Sequence, residues 1–289
     1  MKKAVAMLLC IIAILAAFPA AAHADVGPKP SVTIDFEGLE GRHYYVTLLS
    51  SYPTTGPFSA LEEGKEDYSR YQEGDADYDI FRKFVQYEDA DGFYFLQYFE
   101  DCTESRRFTW TYYPPEEFKV LLYFPDTDSF LTDNARYRRY AFDSYFTAAV
   151  QADGALSIVK SYDYTGEAIS LAVRIVLTIA IELAVALLFG LREKGRLRFI
   201  AMINLLTQIG LNVTLSIVNY HMGLFGFLAI YILLEMAVFA LEGALYAAFL
   251  PKRGEKKLPC WLAWAYALAA NSLSFLLGLF LAVWLPGAF

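Results

Sequence analysis

The chain has 289 residues, is 56% hydrophobic and carries 24 basic against 32 acidic side chains, a formal charge of −8. So apolar a composition suggests a substantial membrane portion, and the acidic balance argues against a nucleic-acid partner. Three cysteines and three histidines, at no metal-binding spacing, exclude a disulfide-stapled scaffold and a standard zinc site, and nothing calls for a cofactor.

Residues 1–24 read as a secretory signal peptide. Lys2 and Lys3 form a basic start, Ala4 to Phe18 an apolar core, and Ala22-His23-Ala24 a cleavage triplet. Cys10 follows Leu9, where lipid attachment needs a small residue, so lipidation is not expected.

Residues 25–166 form the next unit. Between Asp25 and Ala168 there are 27 acidic and 13 basic side chains, and from Ile169 onward 5 acidic and 9 basic, which sets a boundary near residue 165. The first part reads as β. Val32–Phe36 and Tyr44–Leu49 alternate polar and apolar residues. Phe93–Phe99, Phe108–Tyr113, Phe118–Phe124, Tyr140–Ala148 and Leu156–Tyr162 are further aromatic and β-branched runs, bounded by Asp-Gly, Pro-Pro and Pro-Asp-Thr-Asp turns. Regularly spaced short strands predict a β-sandwich-like domain. Ile80, Phe81, Phe84 and Val85 recur at helical spacing and predict one short helix near 77–88, after an acidic solvated loop.

Four apolar runs follow in 167–289, at about 168–190, 199–219, 224–250 and 260–285. Each suffices to cross a hydrocarbon layer of about 30 Å. The fold class is therefore α+β and multidomain, a β-rich domain followed by an all-α four-helix transmembrane bundle. Basic residues crowd the loops at 191–198 and 251–258, while the Asn219–Gly223 turn has none. The positive-inside rule then places both basic loops in the cytoplasm, and residues 25–166 and the C-terminus outside, in a multi-pass protein of the cell membrane. The signal peptide argues for the same orientation.

The soluble part offers only incomplete motifs. Asp75, Asp77 and Asp79 start like a calcium loop, but Ile80 stands where glycine is needed and Gln86 where a bidentate glutamate is needed. Asp89-Ala90-Asp91-Gly92 and Asp126-Thr127-Asp128 are no more complete. Of the 21 tyrosines, 17 precede residue 165, and they either fill strands or offer a face to a cell-wall or extracellular ligand. His43 is the one histidine there, with no nucleophile elbow near it, so a surface hydrolase is the weakest reading.

The helices carry more. Ser170, Arg174, Thr178 and Glu182 share one face, as do Asn204, Gln208, Asn212, Ser216 and Tyr220. Tyr231, Glu235, Glu242 and Tyr246 form a third stripe. Ala263, Ala267, Asn271, Ser274, Gly278 and Ala282 form a fourth, of mostly small residues. Lipid offers polar groups no partner, so Glu182, Asn204, Gln208, Asn212, Glu235, Glu242 and Asn271 are expected to form an intramembrane polar cluster. Counted from the basic ends of the spans, Glu182, Gln208, Glu242 and Asn271 fall roughly 12–16 Å deep and Glu235 and Asn212 roughly 20–22 Å deep, which predicts two layers. Arg174 is expected to reach out to the surface. The amides read as interhelical glue. The glutamates, with no cation at their depth, read as costly groups that bind protons or cations or face a partner. No span contains Asp, and His221 lies at a loop, so no intramembrane protease site can be composed.

Phe118-Lys119-Val120-Leu121-Leu122-Tyr123-Phe124-Pro125, Tyr140-Ala141-Phe142-Asp143-Ser144-Tyr145-Phe146 and Asn204–Asn212 resemble a family of exported membrane proteins of Gram-positive anaerobes. The resemblance implies an extracytoplasmic domain joined to four helices and carries no activity with it. The expectation is a non-enzymatic binding or sensing protein in the lipid bilayer. It would act as partner or accessory subunit of a membrane assembly, or as a homo-oligomer. The alternative is a proton- or cation-coupled transport component.

Overall fold

A computed structural model describes residues 29–61, 69–255 and 257–284. The signal-peptide segment lies outside them, as does the acidic stretch 62–68.

Two sheets form the N-terminal domain. The first has β1 (Ser31–Glu37) at its centre, parallel to β11 (Asp143–Val150) and antiparallel to β7 (Arg107–Trp110), with β12 (Leu156–Lys160) outside β11. The second is built on β2 (Tyr45–Ser50) and β8 (Glu117–Phe124) as an antiparallel pair. Short strands flank it: β5 (Tyr94–Phe95) and β6 (Glu100–Asp101) beside β2, and β9 (Ser129–Leu131) and β10 (Tyr137–Arg138) beside β8. A small hairpin, β3 (Thr54–Thr55) with β4 (Phe58–Ser59), completes the set.

Alternation does the packing. Val32, Ile34 and Phe36 of β1 and Phe146 and Ala148 of β11 turn toward Val46, Leu48, Val120 and Leu122 of the second sheet, so the β-sandwich core lies between the sheets. Trp110 is buried there against Phe58 and Tyr98. The second sheet is also covered on its far face. There Tyr45, Leu49, Leu121 and Tyr123 meet Phe81 and Phe84 of α1 (Tyr78–Gln86), with Phe95 and Phe99. This third layer explains why β2 is buried at every position, whereas β12 alternates. Burying Phe81 and Phe84 stabilises the fold by about 1.5–3 kcal/mol each.

The run Phe93–Phe99 is not one strand. Gln97 takes a left-handed φ of 58° between β5 and β6, and its buried side chain binds Arg70 N and Ser59 O. The kink lets Phe93, Phe95 and Phe99 cover α1 while Leu96 enters the sandwich.

Four helices follow, each long and apolar enough to cross a membrane: α2 (Tyr164–Leu188), α3 (Lys194–Gly223), α4 (Gly226–Lys252) and α5 (Cys260–Trp284). The chain is an integral, multi-pass membrane protein. Asp163 caps α2, accepting the Gly166 N–H at 2.8 Å. Gly190, at φ 77°, ends α2 in a Schellman turn: Leu191 N bonds Ala186 O and Gly190 N bonds Leu187 O. At the same end Arg196 is buried, donating to Leu250 O and pairing with Glu193 at 2.8 Å, so the two basic loops are packed together.

The opposite end of the bundle abuts the β domain. Phe142 N donates to Tyr220 O at 2.8 Å, and the Phe142 ring covers Gly223. Gly223 sits at φ 67°, and a Cβ there would lie 2.4 Å from that ring, so only glycine fits the α3–α4 turn. Tyr162 packs on Tyr220, Tyr164 and Tyr145, and Tyr140 on Tyr220. This tyrosine belt is what amphipathic rings form where a bundle leaves the hydrocarbon.

Candidate functional site: a sealed carboxylate network below an open polar cavity

The polar stripes of the four helices divide between two environments. Nearer the basic loops, α2 supplies Glu182, α3 Asn204 and Thr207, α4 Glu242 and Tyr246, and α5 Tyr266 and Asn271. Asn204 Nδ2 donates to Glu182 Oε2 at 2.8 Å and approaches the Tyr246 hydroxyl at the same distance. The Tyr266 hydroxyl donates to Glu182 Oε2 at 3.2 Å. Glu242 accepts from Thr207 at 2.6 Å and from Asn271 Nδ2 at 2.9 Å. Glu182, Asn204 and Glu242 are wholly buried. Among the described residues no cation enters this network, which is held by amides and hydroxyls. Glu182 Oε1 and Asn204 Oδ1 have no hydrogen-bond partner.

These contacts pass from α2 to α3, α3 to α4, α4 to α5 and α5 back to α2. The helices therefore form a closed ring with α2 and α4 diagonal to each other.

Above the network lies a cavity of about 590 Å³, walled by all four helices and by the edge of the β domain. Gln208 and Asn212 line its lower part, bonded to one another with Asn212 Nδ2 at 3.1 Å from Gln208 Oε1. Glu235 and Tyr231 of α4 line it from one side and Arg174 of α2 from the other. Tyr231 bonds Glu235 through its hydroxyl, which fits beside Gly278: a Cβ there would lie 2.8 Å from the oxygen. At the mouth stand Asp143, Tyr145 and Tyr162, the last bonded to Glu167.

Two expectations are corrected. Gln208 does not share a layer with Glu182, Glu242 and Asn271; Asn204 takes that place. Helix α3 begins at Lys194, more than a turn before the apolar run, so residues counted from the run come out too shallow. Arg174 does not reach out to the surface: it is half-buried in the cavity wall. Thr207 and Tyr266 were missed. A tyrosine deep in a span always brings a hydroxyl needing a partner, and for Tyr266 that was the available signal.

The acidic turns of the β domain are taken internally. Asp89 and Asp91 hold the buried Lys119 ammonium at 2.9 and 3.0 Å. Burial alone would lower the lysine pKa, but the two carboxylates keep it above the ordinary value, and Lys119 and Arg136 hold Asp91 below its own. Asp128 binds Lys83 and the Tyr123 hydroxyl, which lowers its pKa. Asp75 accepts from Gln72 N. His43 lies 3.5 Å from Asp101, whose other oxygen accepts from Thr103 N rather than facing a serine. Among the described residues no group of three potential ligands is placed to hold a metal.

Compared with known families and curated proteins, the chain matches no family model and no curated relative.

Proposed function

We propose that this is a non-enzymatic, extracytoplasmic binding or sensing protein of the cell membrane, in which the β-sandwich and the four-helix bundle together enclose a ligand site. The observation that carries the reading is the cavity. It has the volume of small-molecule sites, a few convergent polar groups on apolar helix walls, and a mouth between two structural units. With the basic loops in the cytoplasm, that mouth faces outward. The resemblance to exported membrane proteins supports the same arrangement. Ligand arriving from outside would touch both units, so binding alters the packing of Tyr162 and Tyr220 on which the β domain rests. In this way a membrane partner could read the occupied state.

Native mass spectrometry of the full chain released from its own membranes tests this. A bound species is expected, and it should be lost in Ser216→Trp, where an indole fills the cavity. A bare protein in both samples would overturn the reading.

Transport is the second reading, favoured by the succession of carboxylates below the mouth, from Glu235 in the cavity to Glu242 and Glu182 in the network. It requires flux of protons or cations in reconstituted vesicles that Glu235→Gln and Glu242→Gln abolish.

A further inference from the structure

The lining of the cavity is lopsided in charge. Asp143, Asp163, Glu167 and Glu235 stand there with one arginine, Arg174, and with neither lysine nor histidine among the described lining residues. Arg174 is already engaged, because Glu167 acts on it. Among the described residues the two aspartates meet only neutral donors: Asp143 accepts from Ser31 Oγ at 2.6 Å and Asp163 from the Gly166 N–H at 2.8 Å. Arg107, which acts on Tyr145, is taken by Asp35 in two bonds, at 2.6 and 3.1 Å. Lower down, Asn212 uses its Nδ2 on Gln208. That leaves Gln208 Nε2 and Asn212 Oδ1 with no partner among the described residues, on side chains only 4% exposed. Ser274 Oγ, in the same wall, is also unpartnered. A buried polar group costs free energy until something bonds it, so these atoms call for a ligand with polar atoms of its own.

We propose that the cavity binds an organic monocation, with its ammonium at the mouth and an uncharged polar body reaching Gln208 and Asn212. The inference rests on the cavity being a ligand site. Excess carboxylate repels an anion and draws in a cation. A bare metal ion does not fit, since among the described residues no three carboxylates are placed to ligate one. A space of about 590 Å³ suits a molecule rather than an ion. Aromatic rings complete the mouth. Tyr162 packs on Tyr145 and Tyr220 with ring planes at 61° and 70°, so an ammonium there meets more than one ring. The chain's own Lys160 already uses this belt, its ammonium 4.8 Å from the centre of the Tyr140 ring. Glu235, bonded to Tyr231, adds negative potential from below. The order of groups sets the pose. Carboxylates and rings take the charged head, and below them Asn212 Oδ1 takes a donor and Gln208 Nε2 an acceptor. An amide in the ligand supplies both.

The test is calorimetric titration of the full chain in maltoside detergent with glycylglycinamide, a monocation with amides in its body, and with its neutral N-acetyl form. The cation should bind saturably and at least tenfold more tightly than the neutral form. Asp143→Asn combined with Asp163→Asn removes two charges but keeps an acceptor for Ser31 and a cap for α2, so the fold should hold. In that double variant the preference for the cation should fall at least fivefold, with binding of the neutral form unchanged. Gln208→Met should instead weaken both forms by the same factor. Tetramethylammonium, a head without a body, should compete for the site and bind more weakly than glycylglycinamide. Equal binding of the cation and the neutral form, a double variant that keeps the full preference, or silence from both cations would overturn the inference. An anionic or uncharged species in native mass spectrometry would then leave the ligand site standing, whereas a bare protein would remove both.

Discussion

The β domain and the bundle both bury charge, by opposite chemistry. In the domain, Lys119 is covered by sheet and loop, and carboxylates neutralise it: Asp89, itself buried, and Asp91. In the bundle, Glu182 and Glu242 are equally buried but meet amides and hydroxyls, with no cation among the described residues of the network. Taking both members of an ion pair out of water into a folded domain is costly, and removing one of them afterwards strands the other at a further cost. The polar groups of the bundle are matched by neutral partners that either neighbour can satisfy, each worth about 0.6 kcal/mol. The domain concentrates its polar stability in one contact, and the bundle spreads it.

That contrast ranks the expected effects. Asp89→Asn leaves Lys119 buried with only half-exposed Asp91, and should lower the stability of the full chain by about 3–5 kcal/mol in a denaturant titration. Adding Lys119→Met should recover most of the loss. Equal losses in single and double variants would mean the pair is not coupled. At the join of the two regions, Gly223→Ala forces a side chain into a left-handed conformation against Phe142, at about 1–3 kcal/mol. The loss should show as faster proteolysis between domain and bundle. Within the network, Glu182→Leu should cost about 1–2 kcal/mol by stranding Asn204 and Tyr266, whereas Glu182→Gln should cost less, because an amide can still accept from them. A glutamine as destabilising as the leucine would show the charge itself, rather than its hydrogen bonds, to be needed.

The smallest effect concerns pH. Lys83 and Tyr123 hold the Asp128 pKa below its ordinary value of about 4. The stability this group contributes is present above that value and is lost as pH falls through the lower folded value. Asp128→Asn should therefore flatten the acid limb of the stability profile, measured by near-ultraviolet circular dichroism, and leave neutral pH almost unchanged.

Strands β1, β2, β8, β11 and β12 were legible in the sequence, because alternation and aromatic runs report which face is covered. The kink at Gln97 was not, since a single residue at positive φ leaves no periodic trace. The third layer over β2 and β8 was legible only in part. The helical spacing of Phe81 and Phe84 announced an amphipathic helix, but not the sheet it covers. Tyrosines that read as one population fall into three: Tyr44 and Tyr98 in the sandwich, Tyr71 and Tyr78 with α1, and Tyr140, Tyr162 and Tyr220 at the membrane junction. The polar cluster was legible residue by residue, because lipid forbids unpaired polar groups. Its division was not. Whether Gln208 joins a network or lines a cavity depends on where helices begin and how they diverge, and a repeat of four residues is blind to both.

The central claim is an open cavity above a sealed network, and thiol accessibility tests it most directly. In a background with Cys102→Ala and Cys260→Ser, single Ser216→Cys and Asn204→Cys variants in intact membranes would meet a membrane-impermeant maleimide on the side carrying the β domain. Rapid labelling of the cysteine at 216 and none at 204, which reacts only after denaturation, is the predicted result. A cysteine at 216 as protected as one at 204 would contradict the account.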